Sequence, residues 1–262
     1  MKNLIRLVFA LLLTGLFAAL PARAADLQQI IKNGVVRIGV PIDVPPFGSV
    51  DKNNEAVGLD VDMAKKIAEA LGVKLELQQI TGANRVPYLA TDKLDIVIAA
   101  MGATPERALQ IAFTSPYAAL SIGVFGPDSI KVDKPSDLTD QTIAVARGTT
   151  QDLELTKAAP NAKIIRFDDD ATAAAAFTSG QAQLLATADV VAKDMMDKDS
   201  KIQLKPKFIL QFSPCYIGIQ QASPELLRWL DTYIHLGLLD GSLSALSEKW
   251  IGTPLPANFP NI

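Results

Sequence analysis

Residues 58–78, GLDVDMAKKIAEALGVKLELQ, change periodicity once, and that change decides the fold. From Asp60 to Leu71 the apolar residues Met63, Ala64, Ile67, Ala68 and Leu71 recur at helical spacing and share one face. Gly72 is a left-handed stop for that helix. Directly after it, Val73, Leu75 and Leu77 alternate with Lys74, Glu76 and Gln78, which is the period of a strand with one face buried. A helix that passes through a single glycine into a strand is the repeating unit of an α/β sheet.

The same unit recurs in both directions. Val35 to Val40 and Asp95 to Ala100 read as buried strands, with a short helix at Arg85 to Thr91. A second set follows. Strands at Thr142 to Ala146, Ile164 to Phe167 and Leu184 to Ala186 alternate with helices opening at Gly148-Thr149-Thr150, at Ala171 (ending at Ser179) and at Asp189, which is read as a cap. Two successive sets predict two α/β lobes with mostly parallel sheets. The Pro-, Asp-, Ser- and Lys-rich residues 127–140 read as a surface loop, and the apolar residues 117–125 as a strand crossing between lobes. Helical patterns at Pro224–Leu238 and Ser242–Trp250 have no strand set of their own, so they are expected to pack back on the first lobe.

The ends and the composition narrow the classes. Two positive charges within residues 1–6, an apolar run at 7–20 and Ala22-Arg23-Ala24 read as a secretory signal peptide cleaved after Ala24. Its removal moves the formal charge from -3 to -6, since Lys2, Arg6 and Arg23 leave and no acid does. An acidic chain offers no electrostatic footprint for nucleic acid. Cys215 is the only cysteine and His235 the only histidine, so neither a disulfide within the chain nor a Cys/His metal cluster can form. Cys215 sits in an apolar stretch and reads as a small buried hydrophobe, and His235 as a helix-surface residue. Asp168-Asp169-Asp170 lacks the spaced oxygens of a calcium loop and reads as the cap of the following helix. No cofactor or metal is implied.

Chemistry concentrates at Thr104-Pro105-Glu106-Arg107. Threonine suits an N-cap, proline the first helical position and glutamate the positive end of the dipole. The stretch reads as a helix start aimed at an anion, with Arg107 beside it as a carboxylate-binding residue. Open α/β sheets bind ligands beyond the carboxyl ends of their strands, and two polar loops lie at such ends: residues 99–107 and 146–151. A ligand held between them would draw the lobes together by a hinge.

These motifs resemble, in order and spacing, the periplasmic solute-binding proteins that serve ABC transporters for polar amino acids. Gly58 to Ala64 with Ile67-Ala68 and Leu71-Gly72 is similar to the family's signature helix, and Pro45-Pro46-Phe47 to its first cleft loop. Thr104 to Arg107 with Phe113 to Tyr117 is similar to its carboxylate loop, Arg147-Gly148-Thr149-Thr150 to its second-lobe loop, and Asp240-Gly241 with Trp250-Ile251-Gly252 to its C-terminal helices. The resemblance covers nearly all of the mature chain. It implies a type II binding-protein fold, two α/β lobes with mixed, mostly parallel sheets joined by a two-strand hinge. Residues 25–118 and 219–262 would form lobe 1 and residues 119–218 lobe 2.

The resemblance also implies roles. Arg107 would clamp the ligand carboxylate through two parallel hydrogen bonds, and Thr150, in a loop with Thr149, would donate to it from the second lobe. Gly102, where relatives often carry Ser or Thr, would offer its backbone N–H. The carbonyl of Ala100 would accept from the ligand amine, and Phe47 would stack on the ligand side chain. Asn84-Arg85-Val86-Pro87-Tyr88-Leu89 resembles a segment of members that bind acidic amino acids, where the arginine reaches a side-chain carboxylate; a surface arginine is the alternative. The aspartate that usually binds the ammonium is absent, since its position falls on Ala188. Asp189 takes the role after a one-residue shift, or the amine is bound otherwise, or the ligand has none. The expected function is capture of a small amino acid-like carboxylate in the periplasm by a monomer that delivers it to a membrane permease. The alternative is a secreted dehydratase-like enzyme on the same scaffold, acting on a cyclic carboxylic acid.

Overall fold

The computed structural model describes residues 27–256 and 258–259. The expected signal peptide and its cleavage site lie outside them. Among the described residues, no helix is long and apolar enough to cross a membrane.

After a short helix α1 (Leu27–Asn33), strand β1 (Val35–Val40) lies between β4 (Lys74–Gln79) and β5 (Ile96–Met101), parallel to both. A small hairpin, β2 (Ser49–Val50) and β3 (Ala56–Val57), leads into helix α2 (Leu59–Leu71). Met63, Ala64, Ile67 and Ala68 form its buried face against this sheet. Gly72 ends it at φ 68°, and the N–H of Val73 returns to the carbonyl of Ala68, so the stop read from the sequence is the left-handed cap observed. Helix α3 is Arg85–Ala90.

The second set is β7 (Thr142–Ala146), helix α5 (Thr150–Ala158), β8 (Lys163–Phe167), helix α6 (Asp170–Thr178), β9 (Leu184–Ala188) and helix α7 (Asp189–Lys198); the single turn α4 (Pro105–Ala108) precedes it. Strand β7 runs parallel to both β8 and β9. Small residues on α6, Ala173 and Ala176, bring that helix close to Ala144 and Leu185 of the sheet.

Two strands of 16 residues join the halves: β6 (Ile111–Gly126) and β10 (Lys205–Gln220), antiparallel along their whole length. In the first lobe β10 borders β5, and in the second β6 borders β9, giving one sheet in the order β4-β1-β5-β10-β6-β9-β7-β8. The expected crossing strand at 117–125 is therefore the middle of a longer one, and the expected lobe boundaries at 118/119 and 218/219 fall inside β6 and β10. Residues 205–220 carried no strand reading, because Pro206, Pro214 and Gly218 interrupt the alternation; the ladder shifts register beside Pro206 and Gly218 and keeps Pro214 opposite Ala119.

The C-terminal helices α8 (Pro224–Leu239) and α9 (Ser242–Ile251) pack on the first lobe as expected. Leu226, Leu230 and Ile234 of α8 are fully buried, and Asp62 of α2 accepts from Trp250 Nε1 at 2.8 Å and Lys249 Nζ at 2.6 Å.

Gly123 shows how tightly the long strands meet. A Cβ there would lie 2.6 Å from the carbonyl oxygen of Phe208 and 3.3 Å from Cα of Ile209. Backbone cannot rotate out of the way, so Gly123→Ala should cost about 1–3 kcal/mol through strain in the β6–β10 ladder. Urea unfolding of the variant beside wild type measures it; an unchanged midpoint would show that the ladder can yield.

Candidate functional site

The first-lobe wall of the site stands where β5 ends. Ala100 is held at φ 45°, a left-handed conformation that costs a non-glycine residue of order 1 kcal/mol and persists only where the surroundings impose it. Its N–H donates to Asp60 Oδ2 at 2.9 Å and to the Tyr117 hydroxyl oxygen at 3.2 Å, while that hydroxyl donates to Asp60 Oδ1 at 2.6 Å. Asp60 lies in the first turn of α2, at its positive end, and is wholly enclosed. Burial pushes its carboxyl up to about 7, against the opposing pull of the Tyr117 and Ala100 donors and the charge of Arg85. The two sequence motifs holding Asp60 and Tyr117 thus meet as one pedestal under the strained turn.

Arg107 follows. Thr104 caps α4 by accepting from the Arg107 N–H at 3.2 Å, as the sequence suggested. The helix is a single turn, however, so its dipole is small. The guanidinium reaches across to the second lobe. Nη1 donates to Gly102 O at 2.6 Å and Thr150 Oγ1 at 3.0 Å, and Nη2 to Gly148 O at 2.8 Å. Burial, then the neighbouring positive Arg85, lowers its pKa to about 10, which leaves it cationic at neutral pH.

A longer helix starts across the gap, that of α5. Thr149 caps it, accepting from Asp152 N at 3.3 Å and donating to Ala146 O at 2.8 Å. The Asp152 carboxylate accepts from Gly148 N at 2.9 Å and Arg166 Nε at 2.8 Å, which fixes the loop. The first helical amides, those of Thr150 and Gln151, have no acceptor within the helix and suit a carboxylate.

Between the walls lies a narrow cleft. Val44, Arg85 and Ala100 line it from the first lobe; Thr149, Thr150 and Asp170 face them from the second. Asp170 N donates to Asp43 Oδ2 at 2.8 Å across the gap. About 20 Å³ remains for the centre of a water-sized molecule, room for one or two waters. Anything the size of an amino acid enters only when the lobes part. Two glycines permit this approach. A Cβ on Gly102 would lie 2.8 Å from Ser213 Oγ and 3.0 Å from Thr150 Oγ1, and one on Gly82 only 2.6 Å from the carbonyl oxygen of Arg147. A larger residue at 102 would crowd the Arg107–Thr150 bridge.

Arg85, Ala100, Thr149 and Thr150 are brought to one cavity, with Gly102 and Arg107 directly behind Thr150. Phe47 and Asp189 stand apart from both groups. Phe47 is fully buried in the first-lobe core and absent from the cavity wall, where Val44 stands in the same loop. Asp189 is the first residue of α7 rather than its cap, and its Oδ1 accepts from Val190 N at 2.8 Å and Ser121 N at 3.2 Å, which ties α7 to β6. The wall there is Ala188. Arg147 and His235 are exposed, and Cys215 is buried, its thiol pushed up by burial. Asp170 and Gln151 were missed as site residues. Asp170 carried a signal, an acid opening a second-lobe helix beyond a strand end, but it was absorbed into the capping reading of the acidic run. Capping belongs to Asp169, which accepts from Thr172 N at 2.7 Å.

Residues 36–253 match the family model of bacterial extracellular solute-binding proteins, family 3. The chain belongs to that family. A glutamine-binding protein of an ABC transporter from Bacillus subtilis, GlnH, is 26% identical over 239 residues, covering 89% of this chain and 87% of its own length. Among solved structures, a solute receptor for L-cysteine from Neisseria gonorrhoeae superposes with a TM-score of 0.81 at 32% identity, covering 91% and 97% of the two chains. The ancestral amino acid-binding protein AncCDT-1, described as a precursor of cyclohexadienyl dehydratase, gives 0.77 at 33% identity and covers 86% and 98%. The family places the chain among the amino acid-binding components of ABC transporters, and these neighbours carry the type II binding-protein fold.

The Asp60 pedestal predicts a pH signature. The folded carboxyl keeps its proton up to about pH 7, while the unfolded one releases it near 3.8. Its contribution therefore favours folding fully below about 3.8 and is lost as pH rises through about 7. Asp60→Asn should gain stability relative to wild type between pH 5 and pH 8, by an amount of order 1–3 kcal/mol, in urea titrations at both values. A difference that does not change with pH would refute the assignment. Separately, Gly82→Ala should leave the fold intact, hinder closure and weaken ligand binding about tenfold or more by calorimetry; undiminished affinity would show that the lobes need not approach this closely.

Proposed function

We propose that this protein captures a small amino acid, or a closely related carboxylate, in the periplasm and hands it to the membrane permease of an ABC importer. The observation that carries the reading is the bridge from Arg107 to Thr150 and Gly148, which spans the two lobes beside the start of α5. A carboxylate at that helix start is met by the Thr150 hydroxyl, the free amides and the Arg107 charge together, so binding it rewards closure of both lobes. A few charge-assisted hydrogen bonds of about 1.5–3 kcal/mol each, less the cost of ordering, support affinities of micromolar order, about 8 kcal/mol. Arg85 favours a second acidic group on the ligand. It is 4% exposed, lines the cavity, and its Nε has no hydrogen-bond partner among the described residues. Relatives named for glutamine, arginine and glutamate/aspartate show that one scaffold takes ligands of different charge.

A second reading, a dehydratase-like enzyme acting on a cyclic carboxylic acid, draws on Asp170, a cavity carboxyl whose pKa of about 7 suits proton transfer. Binding is favoured over this reading by the Arg107–Thr150 bridge, which makes closure of the lobes follow from carboxylate capture.

A thermal-shift screen of the mature protein against the twenty L-amino acids and a set of keto, hydroxy and cyclic acids tests this reading. Stabilisation by one or a few amino acids is expected. No shift with any of them, together with turnover of a cyclic acid, would replace binding by catalysis. Arg107→Ala should weaken binding at least 100-fold, and Arg85→Met should remove any preference for an acidic side chain. An unaltered ligand profile in Arg85→Met would refute the second role.

A further inference from the structure

The geometry points to Asp170 as the carboxylate that receives the ligand's ammonium group, in place of the empty-handed Ala188 position. This rests on the reading of the cleft as an amino acid site and assigns it a residue outside the segment where an amine-binding acid was sought.

Four observations carry it. Asp170 is 8% exposed, and its side chain lines the cavity on the second-lobe wall. Its only hydrogen bond from a side chain among the described residues is a long one, from Gln151 Nε2 at 3.4 Å. It is not needed as a cap, because Asp169 performs that function for α6. Across the same cavity Arg85 is buried with an unpartnered Nε, yet no ion pair between Arg85 and Asp170 is formed. Opposite charges enclosed in one small cavity and left apart are complementary to a molecule that carries both signs. A zwitterion fits that pattern, with ammonium toward Asp170 and a carboxylate toward Arg85 or the start of α5.

The other candidates for the ammonium fall away on geometry. Ala188 offers a methyl group, and the Asp189 carboxylate is committed to the backbone of Ser121 and Val190. Asp60 is enclosed beneath Ala100, bonded to Tyr117. Asp43 accepts from the N–H of Asp170 and is absent from the cavity wall.

The electrostatics add a measurable consequence. Burial raises the Asp170 carboxyl to about 7, with the negative charges of Asp43 and Asp169 adding to the shift and the positive Arg85 opposing it. An arriving ammonium favours the ionised carboxylate, so binding near pH 7 expels part of a proton.

The test sets each of the twenty L-amino acids beside its des-amino analogue, such as glutarate beside L-glutamate and succinate beside L-aspartate, by calorimetry on the mature protein. Wild type should prefer the amino acid roughly 10- to 100-fold, the range of one charge-assisted hydrogen bond. Asp170→Asn should abolish that preference while binding the des-amino acid as wild type does, and Asp189→Asn should keep it. A preference retained in Asp170→Asn, or lost in Asp189→Asn alone, would overturn the assignment and leave the carboxylate site standing. Equal binding of both members of every pair by wild type would overturn it too. No binding of either member of any pair would overturn the amino acid reading along with it. A further readout needs no variant: titrations at pH 7 in phosphate and in Tris should show more proton release for the amino acid than for its analogue.

Discussion

The antiparallel ladder between β6 and β10 is the constraint on which the rest depends. Each strand runs 16 residues and serves both lobes, so the two halves share a backbone rather than a surface. Parallel strands need crossover connections and cannot themselves carry the chain out and back. A pair of long antiparallel strands can, and it brings the carboxyl ends of the two parallel sets to face one another. Ala100 at the end of β5 and Thr149 just past the end of β7 come to line one cavity for that reason.

Once the walls face each other, taking charge out of water sets the details. Arg107 keeps its charge while buried because three oxygens receive its protons, and two of the three belong to the other lobe. A guanidinium that must find acceptors across the gap favours the approach of the lobes. Asp60 is handled differently: with the Tyr117 hydroxyl and the Ala100 amide as its hydrogen-bond partners among the described residues, it is held near neutrality and anchors a strained turn. Arg85 and Asp170 have weaker arrangements still. Neither is fully satisfied by the protein, which is why they mark where a ligand's charges belong.

Much of the fold was legible because its signals are local. The passage from helix to strand through Gly72, the cap at Thr104 and the second-lobe helix start at Thr149 depend on backbone conformation and neighbouring side chains, and the structure places them within a residue or two of the reading. The strand at 205–220 was not legible, since two prolines and a glycine break its alternation and only its pairing with β6 makes it a strand. The sequence left the role of Asp189 open for a related reason. Sequence order put an acid next to the amine-binding position, but a one-residue shift at the end of a strand turns a side chain to the other face.

The sequence by itself determined the class of fold, the capped turn at Thr104 and the absence of a Cys/His metal cluster, because composition, capping and periodicity act over a few residues. Only the tertiary structure decided which acids and cations share the cleft. Asp43, Arg85 and Asp170 come from three separate loops and helix starts, and no spacing along the chain relates them. Their effect on one another arises through space, in a cavity too narrow for water to screen it.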